Sequence, residues 1–171
     1  MCGVHLVCCL PHATNRYLYT YGGVYADLDM MLLKPIDQLL ANHSIVLGTL
    51  SNDTLFAHNI PNAFMASVPR HEFWLLCLNL ITAQLFGGKH GAEVITGPIL
   101  LKDAVALYEQ ELGGTDITLL PPKVVFNDWR RKPPSCRFKS STFNATNCMR
   151  HYKDNYVMSF WTHNWQQEGE A

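Results

Sequence analysis

The sequence has no apolar run of about 18 residues, so it holds no segment built to cross a bilayer as a helix. Charge of one sign is equally scarce. Thirteen Lys and Arg stand against 14 Asp and Glu with no long run of either, which excludes a nucleic-acid surface and a polybasic membrane patch. The opening stretch MCGVHLVCCL lacks the basic start of a secretory leader, and its apolar run is short. There is no internal repeat, no linker and no low-complexity tract. The acids form no cluster of three or more, which argues against a two-metal phosphohydrolase.

What remains is a chain of 171 residues, 48% apolar and only 16% charged, enough for one domain with a real core. Cys136 and Cys148 bracket the polar stretch CRFKSSTFNATNC, and the sequence leaves open whether they pair. Sequons at Asn42, Asn52 and Asn144 lie in turn-rich surroundings and, with that cysteine pair, point toward a secretory lumen.

Residues 15–21 read as the end of a helix stopped by Gly22 and Gly23, and VYADLD as a strand with an acidic end. MLLKPIDQLLAN reads as a turn and a short helix. SIVLGTL, NAFMAS, DITLLPP and KVVF read as further strands. HEFWLLCLNLITAQLF is a helix apolar on most faces. TGPILLKDAVALYEQEL is a second helix, with Thr96 as N-cap and Pro98 in its first turn. Strands alternating with helices predict an α/β layer structure.

The tight acidic pair is Asp27 and Asp29 in YGGVYADLD. On a strand, residues two apart share a face, so the two carboxylates would repel each other unless one took up a proton or a cation sat between them. A hard divalent ion with oxygen ligands meets that need and keeps positions open for phosphate oxygens. An isolated D-x-D is usually a solvated strand end; here the pair follows two glycines and a short apolar run.

LYTYGGVYADLDMMLLKPID, from Leu18 to Asp37, closely resembles the signature of the DXD-containing sugar-transferase family. That family includes α-1,4-galactosyltransferases, the initiating α-1,6-mannosyltransferase of yeast and the mannosyl-inositolphosphorylceramide synthases. NAFMASVPRHEF, ITGPILL and ITLLPPKVVF resemble later family segments in the family's order. The resemblance implies a GT-A-type, Rossmann-like α/β fold. It also implies a metal-dependent retaining transferase that moves galactose, N-acetylglucosamine or mannose from a UDP-sugar or GDP-mannose to a glycolipid or glycan in the Golgi.

The same resemblance implies roles for residues. Asp27 and Asp29 would hold Mn²⁺ or Mg²⁺, and Asp27 would also reach the nucleotide. Gly22, Gly23 and Tyr25 would approach the donor, and Asn62 would bond sugar hydroxyls. Trp165 would stack on a base or sugar. Relatives carry a tail histidine near the metal; one alignment puts Ser159 there and another His163, which imidazole chemistry favours. His71, at the start of the long helix, reads as a structural first-turn residue.

The pattern departs at the N-terminal side. Residues 1–15 read as a divergent segment and residues 16–171 as the C-terminal portion of the catalytic domain. The family's preceding strand–helix–strand unit and membrane anchor are expected to be missing, so membrane association would run through that segment alone. The family's Asp-x-x-Arg falls on Pro11 and Thr14. A catalytically inactive relative that binds glycan or protein is the alternative expectation.

Overall fold

The computed structural model describes residues 5–128 and 130–162. The chain opens with α1 (His5–Tyr21), whose final turn closes with a bond from the Gly22 N–H to the Leu18 carbonyl. Gly22 and Gly23 then take φ of 66° and 93°, backbone that side-chain-bearing residues rarely adopt. A Cβ on Gly22 would also sit 2.6 Å from the Pro69 nitrogen and 2.7 Å from the Ser67 carbonyl oxygen. The glycine pair therefore stops the helix and lets the chain enter the sheet against its neighbour strand.

Four strands form the central sheet: β1 (Gly23–Ala26), β3 (Ile45–Gly48), β4 (Phe64–Ser67) and β5 (Ile117–Leu120), in the order β1-β4-β3-β5. β4 runs antiparallel to both β1 and β3, with Gly23 and Ile45 each opposite Ser67. β3 and β5 are parallel, Ile45 opposite Ile117 and Gly48 opposite Leu120. Every residue of β3 is buried, as expected for a strand covered on both faces. Alternation sends Ile45 and Leu47 into one core and Val46 into the other.

The first core lies under α3 (Glu72–Phe86) and α5 (Pro98–Gln110), with Leu18 of α1, Met65, Phe73, Trp74 and Tyr108 packed together. α3 is less enclosed than its composition suggests: Phe73, Trp74, Cys77 and Ile81 are buried, whereas Leu85 and Phe86 are exposed. The second core holds Phe64, Ala66, Val125, Phe126 and Val157, and α2 (Asp37–Leu40) packs Leu39 and Leu40 against it.

A small third cluster joins Met158 to Cys136 and Cys148, which are linked by a disulfide. It packs a 3₁₀ turn, Pro134–Cys136, against α6 (Ala145–His151). A separate two-stranded ribbon pairs β2 (Met30–Leu32) with β6 (Val157–Ser159), antiparallel, Met30 opposite Ser159.

Three local expectations change. KVVF is not a strand. Lys123 takes φ of 72° and its N–H bonds the Phe126 carbonyl, so the segment turns while Val125 and Phe126 stay buried as a strand's residues would. Thr96 does not cap α5. It ends the short α4 (Ala92–Ile95) with its Oγ1 on the Ala92 carbonyl, and Gly97 is the cap residue before Pro98. Asp27 and Asp29 lie beyond the end of β1, in the turn that joins it to β2.

His71 serves as the N-cap of α3. Its Nδ1 accepts the Phe73 N–H, so the ring proton sits on Nε2, which donates to Asp116 Oδ2 at 2.8 Å.

Candidate acidic site and its relatives

The acidic turn is built by backbone bonds. The Asp27 N–H donates to the Ala63 carbonyl, prolonging the β1–β4 ladder by one bond. The Met30 N–H then returns to the Asp27 carbonyl at 3.0 Å, closing a four-residue turn with Leu28 fully exposed at its tip. The two carboxylates do not share a strand face. They flank a turn, and each is held from a different part of the chain.

Asp27 is tied to β1. The Tyr25 hydroxyl donates to its Oδ1 at 2.7 Å. Its Oδ2 accepts no hydrogen bond from the described residues. Burial raises the Asp27 carboxyl above the usual carboxylate range, the Tyr25 bond opposes that rise, and the nearby Asp29 charge adds to it. Burial and the Asp27 carboxylate likewise push the Tyr25 phenol upward, which keeps it a donor.

Asp29 is tied to the end of the chain. The Thr162 N–H and Oγ1 both donate to its Oδ2, at 2.8 and 3.1 Å, and Ser159 Oγ lies 3.4 Å from its Oδ1. The Phe160 N–H reaches the Asp29 carbonyl at 2.9 Å. The β2–β6 register sets this meeting, since Met30 faces Ser159. Ser159 is in turn fixed by Asn127, whose Oδ1 accepts the Ser159 N–H at 2.8 Å.

Beside the turn, and sharing Tyr25 with it, lies a cavity of about 40 Å³ lined by Thr14, Asn15, Asn62, Thr96, Leu100 and Leu101. Asn15 is buried, and Asn62 is half-buried in the same lining. The structure thus brings Tyr25 and Asn62 to one cavity and Tyr25 and Asp27 into one bond. Gly22 and Gly23 stand at the entry to β1 and not in the cavity lining. His163 and Trp165 lie outside the described residues.

Among the described residues, no three His, Cys, Asp or Glu side chains gather to hold a metal. The acidic pair still suits a hard divalent cation that takes most of its ligands from a bound phosphate. It offers an Asp27 oxygen that accepts no bond from the described residues and a second carboxylate whose charge the first one feels. Thr162 and Asn127 escaped the sequence reading, and only the hydroxyl of Thr162 in SFWTHNW gave a hint of its role.

Residues 16–46 match the family described as "Glycosyltransferase sugar-binding region containing DXD motif". Over 121 residues, 67% of the chain, it is 28% identical to the lactosylceramide 4-alpha-galactosyltransferases of Pongo pygmaeus, Homo sapiens and Mus musculus. That stretch is 51% of the Pongo pygmaeus protein, 32% of the human one and 31% of the mouse one, so the chain spans about half of the first relative and a third of the others. Among solved structures, PaToxG Glycosyltransferase aligns with a TM-score of 0.44 at 18% identity, over 62% of this chain and 36% of that one. The DXD region runs from the last turns of α1 through β1, the acidic turn and β2 into β3.

Proposed function

We propose that the chain carries the acidic site of a metal-dependent, retaining hexosyltransferase. It would move galactose, N-acetylglucosamine or mannose from a UDP-sugar or GDP-mannose to a glycolipid or glycan, with a lactosylceramide-like glycosphingolipid as the first acceptor to try. The observation that carries this reading is the pair Asp27 and Asp29 at the turn after β1, where one Asp27 oxygen accepts no bond from the described residues and Tyr25, bonded to the other, also lines a cavity with Asn62.

Asp27 and Asp29 would hold Mn²⁺ or Mg²⁺, with Ser159 or His163 as a further ligand; a bound ion supplies charge neutralisation for a departing diphosphate. Tyr25 keeps the Asp27 carboxylate oriented. Thr162 and Ser159 do the same for Asp29. The Asn62 amide offers a donor and an acceptor to sugar hydroxyls. Trp165 is assigned to stacking on the base or sugar.

A secretory, Golgi-type lumen is supported by the Cys136–Cys148 disulfide and by the exposure of all three sequon asparagines. Among the described residues no helix is long and apolar enough to cross a membrane.

The test is Mn²⁺-dependent hydrolysis of radiolabelled UDP-hexoses and GDP-mannose. Asp29→Ala is expected to cut the rate by about 10²–10³-fold, the usual scale for removing one electrostatic stabiliser. An unchanged rate in that variant removes the proposal. A second reading, a relative that binds but does not transfer, draws on Pro11 and Thr14 standing where the family carries Asp and Arg. It expects Mn²⁺-dependent nucleotide binding with no turnover.

A further inference from the structure

The turn that grips Asp29 has to be held itself. Residues 159–162 give four donors to Asp29: the Phe160 N–H to its carbonyl, the Thr162 N–H and Oγ1 to its Oδ2, and Ser159 Oγ to its Oδ1. The Trp161 N–H turns inward instead, to Ser159 Oγ at 3.0 Å. To make these bonds at once, Trp161 adopts φ of 51°, a left-handed conformation that a large side chain takes only where its surroundings enforce it. With the N–H groups committed to one side, the turn leaves the Phe160 and Trp161 carbonyls needing donors of their own.

Lys132 supplies both. Its Nζ donates to Phe160 O at 3.1 Å and to Trp161 O at 3.3 Å. The side chain is half-buried, and its charge lies within electrostatic reach of Asp29. We propose that Lys132 is a positioning residue of the acidic site: by tying down the Phe160 and Trp161 carbonyls it sets where Thr162 and Ser159 hold the Asp29 carboxylate. The assignment rests on the reading above, in which the acidic pair receives a divalent cation. It adds a residue about 100 positions away that touches neither carboxylate through a hydrogen bond.

The experiment is a Mn²⁺ titration of the chain without nucleotide, free ion read by electron paramagnetic resonance. Lys132→Met, which keeps length and loses every donor, is expected to weaken Mn²⁺ binding about tenfold. Lys132→Arg, which can make the same two bonds, is expected to stay within about threefold of wild type. Thr162→Val removes one donor at the other end of the relay. If Lys132 acts through the turn, the double variant loses no more than Lys132→Met alone; additive losses overturn the proposal.

Unchanged affinity in Lys132→Met, where Asp29→Ala abolishes binding, overturns the positioning role and leaves the cation site standing. Unchanged affinity in Asp29→Ala removes the site itself. A loss seen only when UDP is present assigns Lys132 to the diphosphate and overturns positioning as well. Far-ultraviolet circular dichroism and the thermal midpoint, expected within a few degrees of wild type for both lysine variants, separate these outcomes from unfolding.

Discussion

Asp27 sits where a carboxylate costs folding energy. Burial first, and the Asp29 charge with it, hold its carboxyl above the ordinary value of about 4. The sign follows from proton counting. As pH rises from that ordinary value through the raised native one, the folded protein holds a proton the unfolded chain has already released, so stability falls across that window. Above that window the native state carries the full penalty. Asp27→Asn is therefore expected to raise the thermal midpoint at pH 7, with the gain shrinking toward pH 4, while Mn²⁺ affinity is lost. Calorimetry across that pH range checks it, and a lower midpoint at pH 7 refutes it. The acids themselves were legible in YGGVYADLD, because two carboxylates one residue apart in an apolar setting leave few quiet explanations. Their geometry was not. The sequence reading put both on one strand face, but the Met30 N–H folds back to Asp27, and Thr162 decides where Asp29 points.

Among the elements, the ones with their own periodicity or punctuation were readable: α3 and α5 by apolar patterning with Pro98 and the glycine stops, and β3, β4 and β5 as short β-branched or apolar runs. β2 and β6 were not, being three residues each and existing only as each other's partner. What stabilises β6 is partly the disulfide. Met158, at the centre of β6, packs with Cys136 and Cys148, and Ser159 follows it into the acidic site. Closing a loop with sequence separation 12 restricts the unfolded chain by about 3 kcal/mol. Cys148→Ser is expected to lower the thermal midpoint by about 6–12 °C at the usual scale for a chain of this size. It should also weaken Mn²⁺ binding, because β6 loses its backing. A variant that melts early but binds Mn²⁺ unchanged would show that the ribbon needs no such support.

At the scale of the whole molecule, the protein divides into a well-covered sheet and a lighter periphery. β3 is paired on both sides and buried throughout, between the first and second cores. Among the described residues β2 pairs only with β6, and Met31 and Leu32 are exposed. Amide exchange read by mass spectrometry is expected to be slowest in residues 45–48 and at least about tenfold faster in 30–32, since local opening tracks buried contact. Equal protection would mean that sheet and ribbon open as one unit. The two halves also become available at different times during synthesis. Asp27 and Asp29 leave the ribosome first, the strands of the main sheet follow by residue 120, and Ser159 and Thr162 come after them. The nascent polypeptide can thus bury its hydrophobic middle while still tethered, but no ribosome-bound intermediate short of those last hydroxyls can finish its acidic turn.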